Sequence, residues 1–148
     1  MNQTPLHVLL ADDDEDDRLI FKDALEEVKV KTRLTLVKDG IQLMEYLEKT
    51  EDEYPSIVFL DLNMPRKGGV ECLREIRSDK RLRNISVAIY STSASEGDIE
   101  DTFIKGANVY IKKPNDFGSL VRVLEEVITI NWQYHNSDLN RENFVLSL

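Results

Sequence analysis

Short apolar runs and amphipathic stretches alternate five times along the chain. The apolar runs are four to six residues long and fall at residues 6–11, 33–37, 57–60, 86–90 and 108–111. Runs of this length are typical of strands buried on both faces, as in a parallel sheet. Because parallel neighbours need a crossover between them, the amphipathic stretches predict helices on both faces of the sheet. The pattern therefore predicts a doubly wound α/β domain with five parallel strands.

The first amphipathic stretch predicts a helix that begins at Glu15. Asp14 is a candidate cap for it, and Asp16 and Asp17 suit its first turn, where carboxylates are favourable and solvated without any further role. Five residues at helical spacing are expected to share its apolar face: Leu19, Ile20, Ala24, Leu25 and Val28.

The last two helices are predicted from a cap signal and from periodicity. The fourth helix is expected to start with a capping box from Ser93 to Glu96. The fifth is expected over residues 116 to about 130. The apolar positions are Ile99, Phe103 and Ile104 in the fourth helix, and Phe117, Leu120, Val121, Leu124, Val127 and Ile128 in the fifth, where they are expected to be buried.

The organisation predicted from this pattern is one domain at residues 1–130 with an extension at residues 131–148. The extension carries Trp132, Tyr134, Phe144 and further apolar residues, too many for a freely solvated end. We expect it to pack on the domain or on a partner subunit. A homodimer through the last strand and helix is one hypothesis for its role.

Composition narrows the class of partner and the compartment. A formal net charge of −9 opposes unassisted binding to nucleic acid or to an anionic membrane. Cys72 is the sole cysteine, so an internal disulfide is impossible and a reducing compartment is favoured. The sequence begins without a secretory signal pattern, and we expect a cytoplasmic protein. His7 and Cys72 show no ligand spacing and are interpreted as structural.

Four strand ends carry chemically useful side chains. Asp12 and Asp13 follow the first strand and Asp61 follows the third, while Ser91 and Lys113 lie at the ends of the fourth and fifth. These ends share one edge of a parallel sheet. Close carboxylates need a proton or a cation, and Mg²⁺ or Mn²⁺ suits oxygen ligands. With a lysine and a hydroxyl opposite, the set predicts an aspartate that accepts a phosphoryl group with metal help.

The segments around these residues resemble the receiver domains of two-component response regulators. The matching blocks are residues 10–14, 60–65, 90–93 and 110–114, within a resemblance that spans residues 8 to about 127. The resemblance implies the strand order 2-1-3-4-5 that the chemotaxis member of the family shows. It also implies a phosphorylation-operated switch, and not an enzyme.

The resemblance implies roles at the acidic edge of the sheet. Asp61 would be the phosphoacceptor. Asp13, Asp61 and the backbone carbonyl of Asn63 would bind Mg²⁺, or Mn²⁺ in its place, and Asp12 would act mainly through a metal-bound water.

Further roles follow for the fourth and fifth strands. Lys113 would pair with the phosphoryl group, and the peptide bond before Pro114 would be cis. Ser91 would be the switch hydroxyl, and Tyr110 the aromatic residue that follows its movement.

The partners implied by the resemblance are proteins. A sensor histidine kinase or a histidine phosphotransfer protein would donate the phosphoryl group, and output would be binding to a downstream protein or onward transfer in a relay. One alternative is a degenerate receiver that docks without phosphorylation. Another is an aspartyl-phosphate phosphatase, but such enzymes have a second aspartate two residues after the nucleophile, where this chain has Asn63.

Overall fold

Strands and helices alternate throughout the computed structural model, which describes residues 4–50 and 53–137. The strands are β1 (Leu6–Ala11), β2 (Thr32–Val37), β3 (Ile57–Leu60), β4 (Ser86–Ser91) and β5 (Val109–Lys112). The helices are α1 (Glu15–Glu26), α2 (Gly40–Lys49), α3 (Gly69–Ser78), α4 (Glu96–Ile104) and α5 (Phe117–Ser137). Within these described ranges, no helix is both long enough and apolar enough to cross a bilayer.

The sheet is parallel throughout, in the order β2-β1-β3-β4-β5. The predicted fold and strand order are thus confirmed. The chain leaves β1 toward β2 on one side and later returns to place β3 on the other side of β1. The carboxyl ends of β1 and β3 therefore flank the point where the strand order reverses, which is where open α/β sheets bind their ligands.

An apolar layer covers each face of the sheet. Alternate residues of β1 point to opposite layers, so that Val8 and Leu10 contribute to one and Leu9 and Ala11 to the other. Buried residues of α1 and α5 complete the first layer, and those of α2 and α3 complete the second. Burial on both faces explains why β3 is apolar at every position and β1 at every position except His7.

The apolar face of α1 differs from the predicted one. Phe21 is fully buried between Phe59 and Tyr90, with its ring centroid 5.0 Å from the first and 5.6 Å from the second. The buried stripe continues through Ala24, Leu25 and Val28. Leu19 and Ile20 fall beside this stripe and are 52% and 45% exposed, so their predicted burial was wrong.

Helix α4 begins with a different cap from the predicted one. Ser95 is the N-cap, and its hydroxyl accepts a hydrogen bond from the Asp98 amide at 3.1 Å. The predicted capping box from Ser93 to Glu96 was therefore wrong. Thr102 is the buried residue of α4, whereas its three predicted apolar positions are all exposed: Ile99, Phe103 and Ile104.

Helix α5 is longer than its periodicity predicted. It continues to Ser137, and no glycine or proline interrupts the sequence after Gly118. Four of the predicted inward residues are buried, but Phe117 at the first position is 46% exposed because it lies at the exposed start of the helix. The predicted boundary at residue 130 thus falls inside α5. The predicted packing of the extension lies outside the side chains that the structure describes.

A glycine allows α3 to start against the residue that follows β3. A Cβ atom at Gly69 would lie 2.3 Å from the carbonyl oxygen of Asp61 and 2.9 Å from Leu62 Cα. The Gly69 amide also donates a hydrogen bond to the Leu62 carbonyl at 3.0 Å. Both contacts involve backbone, which cannot turn aside as a flexible side chain would. Gly69 therefore fixes the segment that carries Asp61.

We predict that Gly69→Ala lowers the free energy of unfolding by about 1–3 kcal/mol, the usual effect of forcing an extra methyl group into a packed site. Gly97→Ala in α4 is the matched control, because nothing lies within 4 Å of the Cβ position there. That change should raise the free energy of unfolding by about 0.5–1 kcal/mol through helix propensity. Urea denaturation measures both. Equal tolerance of the two substitutions would contradict the close approach at Gly69.

Candidate functional site

Backbone hydrogen bonds extend the sheet by one residue beyond each of three strands, β1, β3 and β5. The Asp12 amide donates to the Val37 carbonyl at 3.1 Å, and the Asp61 amide donates to the Ala11 carbonyl at 3.0 Å. The Lys113 amide donates to the Ser91 carbonyl at 2.8 Å. These bonds hold the backbones of the three charged residues at the carboxyl edge of the sheet.

Asp12, Asp13 and Asp61 form an acidic cluster. One carboxylate oxygen from each lies within 4.8 Å of the other two. Asp12 is fully buried and Asp61 is 7% exposed, whereas Asp13 faces solvent. Oxygens that share one divalent cation at about 2.0–2.6 Å lie about 3–5 Å apart, so this donor set fits such an ion. The structure thus brings together the three carboxylates that the sequence pointed to.

The ammonium group of Lys113 lies among carboxylates. Its Nζ is 2.8 Å from Asp12 Oδ2, 2.9 Å from Asp17 Oδ2 and 3.5 Å from Asp61 Oδ2. The side chain is 9% exposed, and its Nζ lies 5.2 Å from the centre of the Tyr90 ring. Buried carboxylates of this kind need a compensating charge, and Lys113 supplies it.

The pKa values of Asp61 and Lys113 reflect this setting. Burial raises the pKa of Asp61 to about 6; Lys113 opposes the rise, and the charge of Asp12 adds to it. Burial alone would lower the pKa of Lys113, but the neighbouring carboxylates of Asp12 and Asp17 raise it above its ordinary value. At neutral pH the site therefore holds an ionised Asp61 at a cost in folding free energy, beside a fixed positive charge.

Asp17 has a contact that the sequence did not predict. Asp14 caps α1 as expected, because its carboxylate accepts the Asp17 amide at 2.9 Å. Asp16 is exposed, also as expected. Asp17, however, accepts a hydrogen bond from Lys113 at 2.9 Å, so its interpretation as a merely solvated residue was wrong. The one sequence signal for this contact was the position of Asp17 in the first turn of α1, because that turn starts at the acidic edge of the sheet.

Ser91 and Tyr110 are joined through the loop that follows β4. Ser91 is fully buried, and its Oγ accepts the Ser93 amide at 3.1 Å. The Tyr110 hydroxyl donates to the Ser93 carbonyl at 2.6 Å. The Ser93 hydroxyl in turn donates to Asp98 Oδ2 in α4 at 2.9 Å. One residue of the loop therefore contacts the predicted switch hydroxyl, the predicted switch aromatic and helix α4.

The loop after Asp61 is held by residues that sequence reasoning passed over. Asp39 caps α2 by accepting the Gln42 amide at 2.9 Å. Arg66 donates two hydrogen bonds to its carboxylate, at 3.1 and 3.2 Å. The bond from Gln42 and the nearby Arg66 hold the pKa of Asp39 below its usual range, against the effect of burial. This pair joins the loop to the start of α2.

Two other predicted features have different outcomes. The Asn63 amide donates a long hydrogen bond of 3.4 Å to Asp61 Oδ1, which keeps the Asn63 backbone beside the acidic cluster. Pro114 was expected to follow a cis peptide bond. The described peptide bonds are all trans, so that expectation was wrong.

Replacing Asp61 by asparagine should stabilise the protein in a pH-dependent way. The unfolded chain ionises Asp61 near pH 4, whereas the folded protein keeps the proton until about pH 6. Stability contributed by the neutral carboxyl is therefore lost as the pH rises across this window. We predict that Asp61→Asn raises the free energy of unfolding at pH 7.5 by about 1–3 kcal/mol without divalent metal, and by less at pH 5.

Urea denaturation at both pH values, with a chelator present, tests this expectation. Asp23→Asn is the control, since it removes an exposed carboxylate from α1. An Asp61→Asn protein that is no more stable than the wild type at pH 7.5 would contradict a buried, ionised Asp61.

Comparison with known proteins agrees with this geometry. The pattern of the response regulator receiver domain matches residues 8–125. The probable methanogenesis regulatory protein FilR2 of Methanothrix harundinacea is 31% identical over 128 residues, which cover 84% of this chain and 83% of that protein. Response regulator Rcp1 of Synechocystis is 28% identical over 128 residues, with coverage of 83% and 86%.

Solved structures give the same result. The phosphorylated cyanobacterial phytochrome response regulator RcpA superposes with a TM-score of 0.78 at 29% identity, covering 93% of this chain and 98% of that one. The Mn²⁺-bound form of Rcp1 superposes with a TM-score of 0.76 at 24% identity, covering 92% and 98%, and supports the fold. With the family pattern matched over most of its length, this chain belongs to the response regulator receiver domains of two-component signalling.

Proposed function

We propose that Asp61 accepts a phosphoryl group from the phosphohistidine of a sensor histidine kinase or a histidine phosphotransfer protein. The observation that carries this proposal is the buried Asp61 carboxylate, with Lys113 Nζ 3.5 Å away and with Asp12 and Asp13 beside it. A nucleophilic oxygen, a cation and a donor set for a divalent metal then lie at one edge of the sheet. Family membership supports the same role.

In the proposed transfer, an oxygen of Asp61 attacks the phosphorus atom as the phosphorus–nitrogen bond to the donor histidine breaks. Asp13, Asp61 and the Asn63 carbonyl would hold Mg²⁺ or Mn²⁺, with Asp12 acting mainly through a bound water. The metal would neutralise charge on the phosphoryl oxygens. The mutual distances of the three carboxylates support this assignment. Phosphorylated RcpA and Mn²⁺-bound Rcp1 are similar proteins that support the same chemistry here.

Lys113 and Ser91 would bind the phosphoryl group from the protein side. The side chain of Lys113 is almost fully buried, so water screens its charge only weakly. Ser91 Oγ accepts the Ser93 amide, which leaves its own hydroxyl proton for a phosphoryl oxygen. A movement of Ser91 would displace Ser93, which is hydrogen-bonded to Tyr110 and to α4.

The output would be binding to a downstream protein at the face formed by α4, β5 and α5. Ile99, Phe103 and Ile104 leave a large apolar area exposed on α4, 40–72% of each residue. Apolar side chains grouped in this way are typical of a protein interface. Since the Ser93 loop ties α4 to the site, phosphorylation would bias this face between two arrangements. The net charge of −9 argues for protein partners rather than nucleic acid or a membrane. The proposed compartment is the cytoplasm.

Intact-mass spectrometry after incubation with acetyl phosphate and Mg²⁺ tests the phosphoacceptor. We expect the wild type to gain one phosphoryl group, and Asp61→Asn or a chelator to abolish the gain. Asp23→Asn should be phosphorylated like the wild type, because its carboxylate is exposed on α1 away from the site.

Two other outcomes would overturn the proposal. A wild type that neither gains mass nor binds beryllofluoride with Mg²⁺ would be a docking module that works without phosphorylation. Sustained hydrolysis of a small phosphate ester, far faster than loss of the phosphoryl group from Asp61, would indicate a phosphatase.

A further inference from the structure

Lys113 makes one contact that the proposed phosphoryl chemistry does not use. Its Nζ lies 2.9 Å from Asp17 Oδ2, and it donates a hydrogen bond there. Asp17 belongs to the first turn of α1, 96 positions away in sequence. The ammonium is therefore nearer to Asp17 than to the proposed phosphoacceptor Asp61, which is 3.5 Å away.

The three carboxylates around Lys113 differ in their freedom to move. Asp12 is fully buried, and its Oδ1 accepts the Asp14 amide at 3.0 Å. Asp61 is held in place by its backbone bond to Ala11 and by burial. The Asp17 side chain is 35% exposed, so water can replace Lys113 as its partner. Asp17 is the partner that Lys113 can leave at the lowest cost.

An ammonium group has three N–H donors, and three carboxylates already surround this one. A phosphoryl group on Asp61 would bring further anionic oxygens toward the same donors. Lys113 must then give up part of an existing contact. Since Asp12 is buried and Asp61 would carry the phosphoryl group, the contact with Asp17 is the one to yield.

We propose that Asp17 is a positioning residue that holds the Lys113 ammonium in the resting protein and competes with the phosphoryl group for it. This inference rests on the proposed function, because it concerns the same lysine. Asp17 sets how readily Lys113 turns to Asp61. When Lys113 turns, the first turn of α1 loses its contact with the lysine. Helix α1, which carries the exposed Leu19 and Ile20, thereby becomes sensitive to the state of the site.

Two variants separate this role from a general effect of charge. Asp17→Asn removes the carboxylate that contacts Lys113. Asp16→Asn removes one charge from the same helical turn, but its side chain is exposed to solvent. Asp17→Ala removes the hydrogen bond as well, and it should act in the same direction as Asp17→Asn.

The first measurement is the affinity for beryllofluoride in saturating Mg²⁺. We expect Asp17→Asn to bind beryllofluoride at least about threefold more tightly than Asp16→Asn does. The reason is the loss of one competing charge-assisted hydrogen bond. The affinity for Mg²⁺ alone should change equally in the two variants, because Asp17 is outside the acidic cluster. Equal beryllofluoride affinities, or weaker binding by Asp17→Asn, would overturn the competition.

The second measurement reads the contact directly in the unphosphorylated protein. A proton–nitrogen correlation spectrum of lysine ammonium groups, assigned by the loss of one signal in Lys113→Arg, should show Lys113 shifted by Asp17→Asn and unshifted by Asp16→Asn. No shift in Asp17→Asn would overturn the positioning role, whatever the protein does with phosphate. If Asp17→Asn shifts the Lys113 signal but the wild type fails to bind beryllofluoride, the proposed function is overturned instead, and the competition with it.

Discussion

The interaction on which the site depends is the contact of one lysine with carboxylates at the carboxyl edge of a parallel sheet. Asp12 and Asp61 are buried there, where water screens their repulsion poorly. Lys113 approaches both, and the carboxylates of Asp12 and Asp17 keep it charged in spite of burial. Removing Lys113 would leave the buried carboxylates without a compensating charge, which is strongly destabilising.

Several backbone and side-chain contacts hold the chain in place at this edge of the sheet. The strand order places β1 beside β3, and backbone bonds carry the sheet on to Asp12, Asp61 and Lys113. Gly69 lets α3 approach the segment after Asp61, and the pair of Asp39 with Arg66 holds the loop beyond it. The acidic edge is thus rigid on the sheet side and adjustable only where side chains reach solvent. A rigid site with one mobile contact suits a two-state switch.

Sequence reasoning recovered the features that depend on local pattern. The apolar runs predicted the strands. The set of Asp12, Asp13, Asp61 and Lys113 was predicted because these residues follow the runs, and the carboxyl ends of parallel strands share one edge of the sheet. It failed where tertiary packing decides. Phe21 is buried and Leu19 is not, since the residue of α1 that packs on Phe59 and Tyr90 is decided by tertiary contacts. The partnership of Asp17 with Lys113 joins residues far apart in sequence, and no local spacing encodes it.

A crystal structure of the complex with Mg²⁺ and beryllofluoride is the measurement that tests the central claim most directly. The account predicts the beryllium on an oxygen of Asp61, the metal between Asp13, Asp61 and the Asn63 carbonyl, and Lys113 turned from Asp17 to a fluorine atom. A complex in which beryllofluoride lies away from Asp61, or in which Lys113 keeps its Asp17 contact and makes none to fluorine, would contradict it.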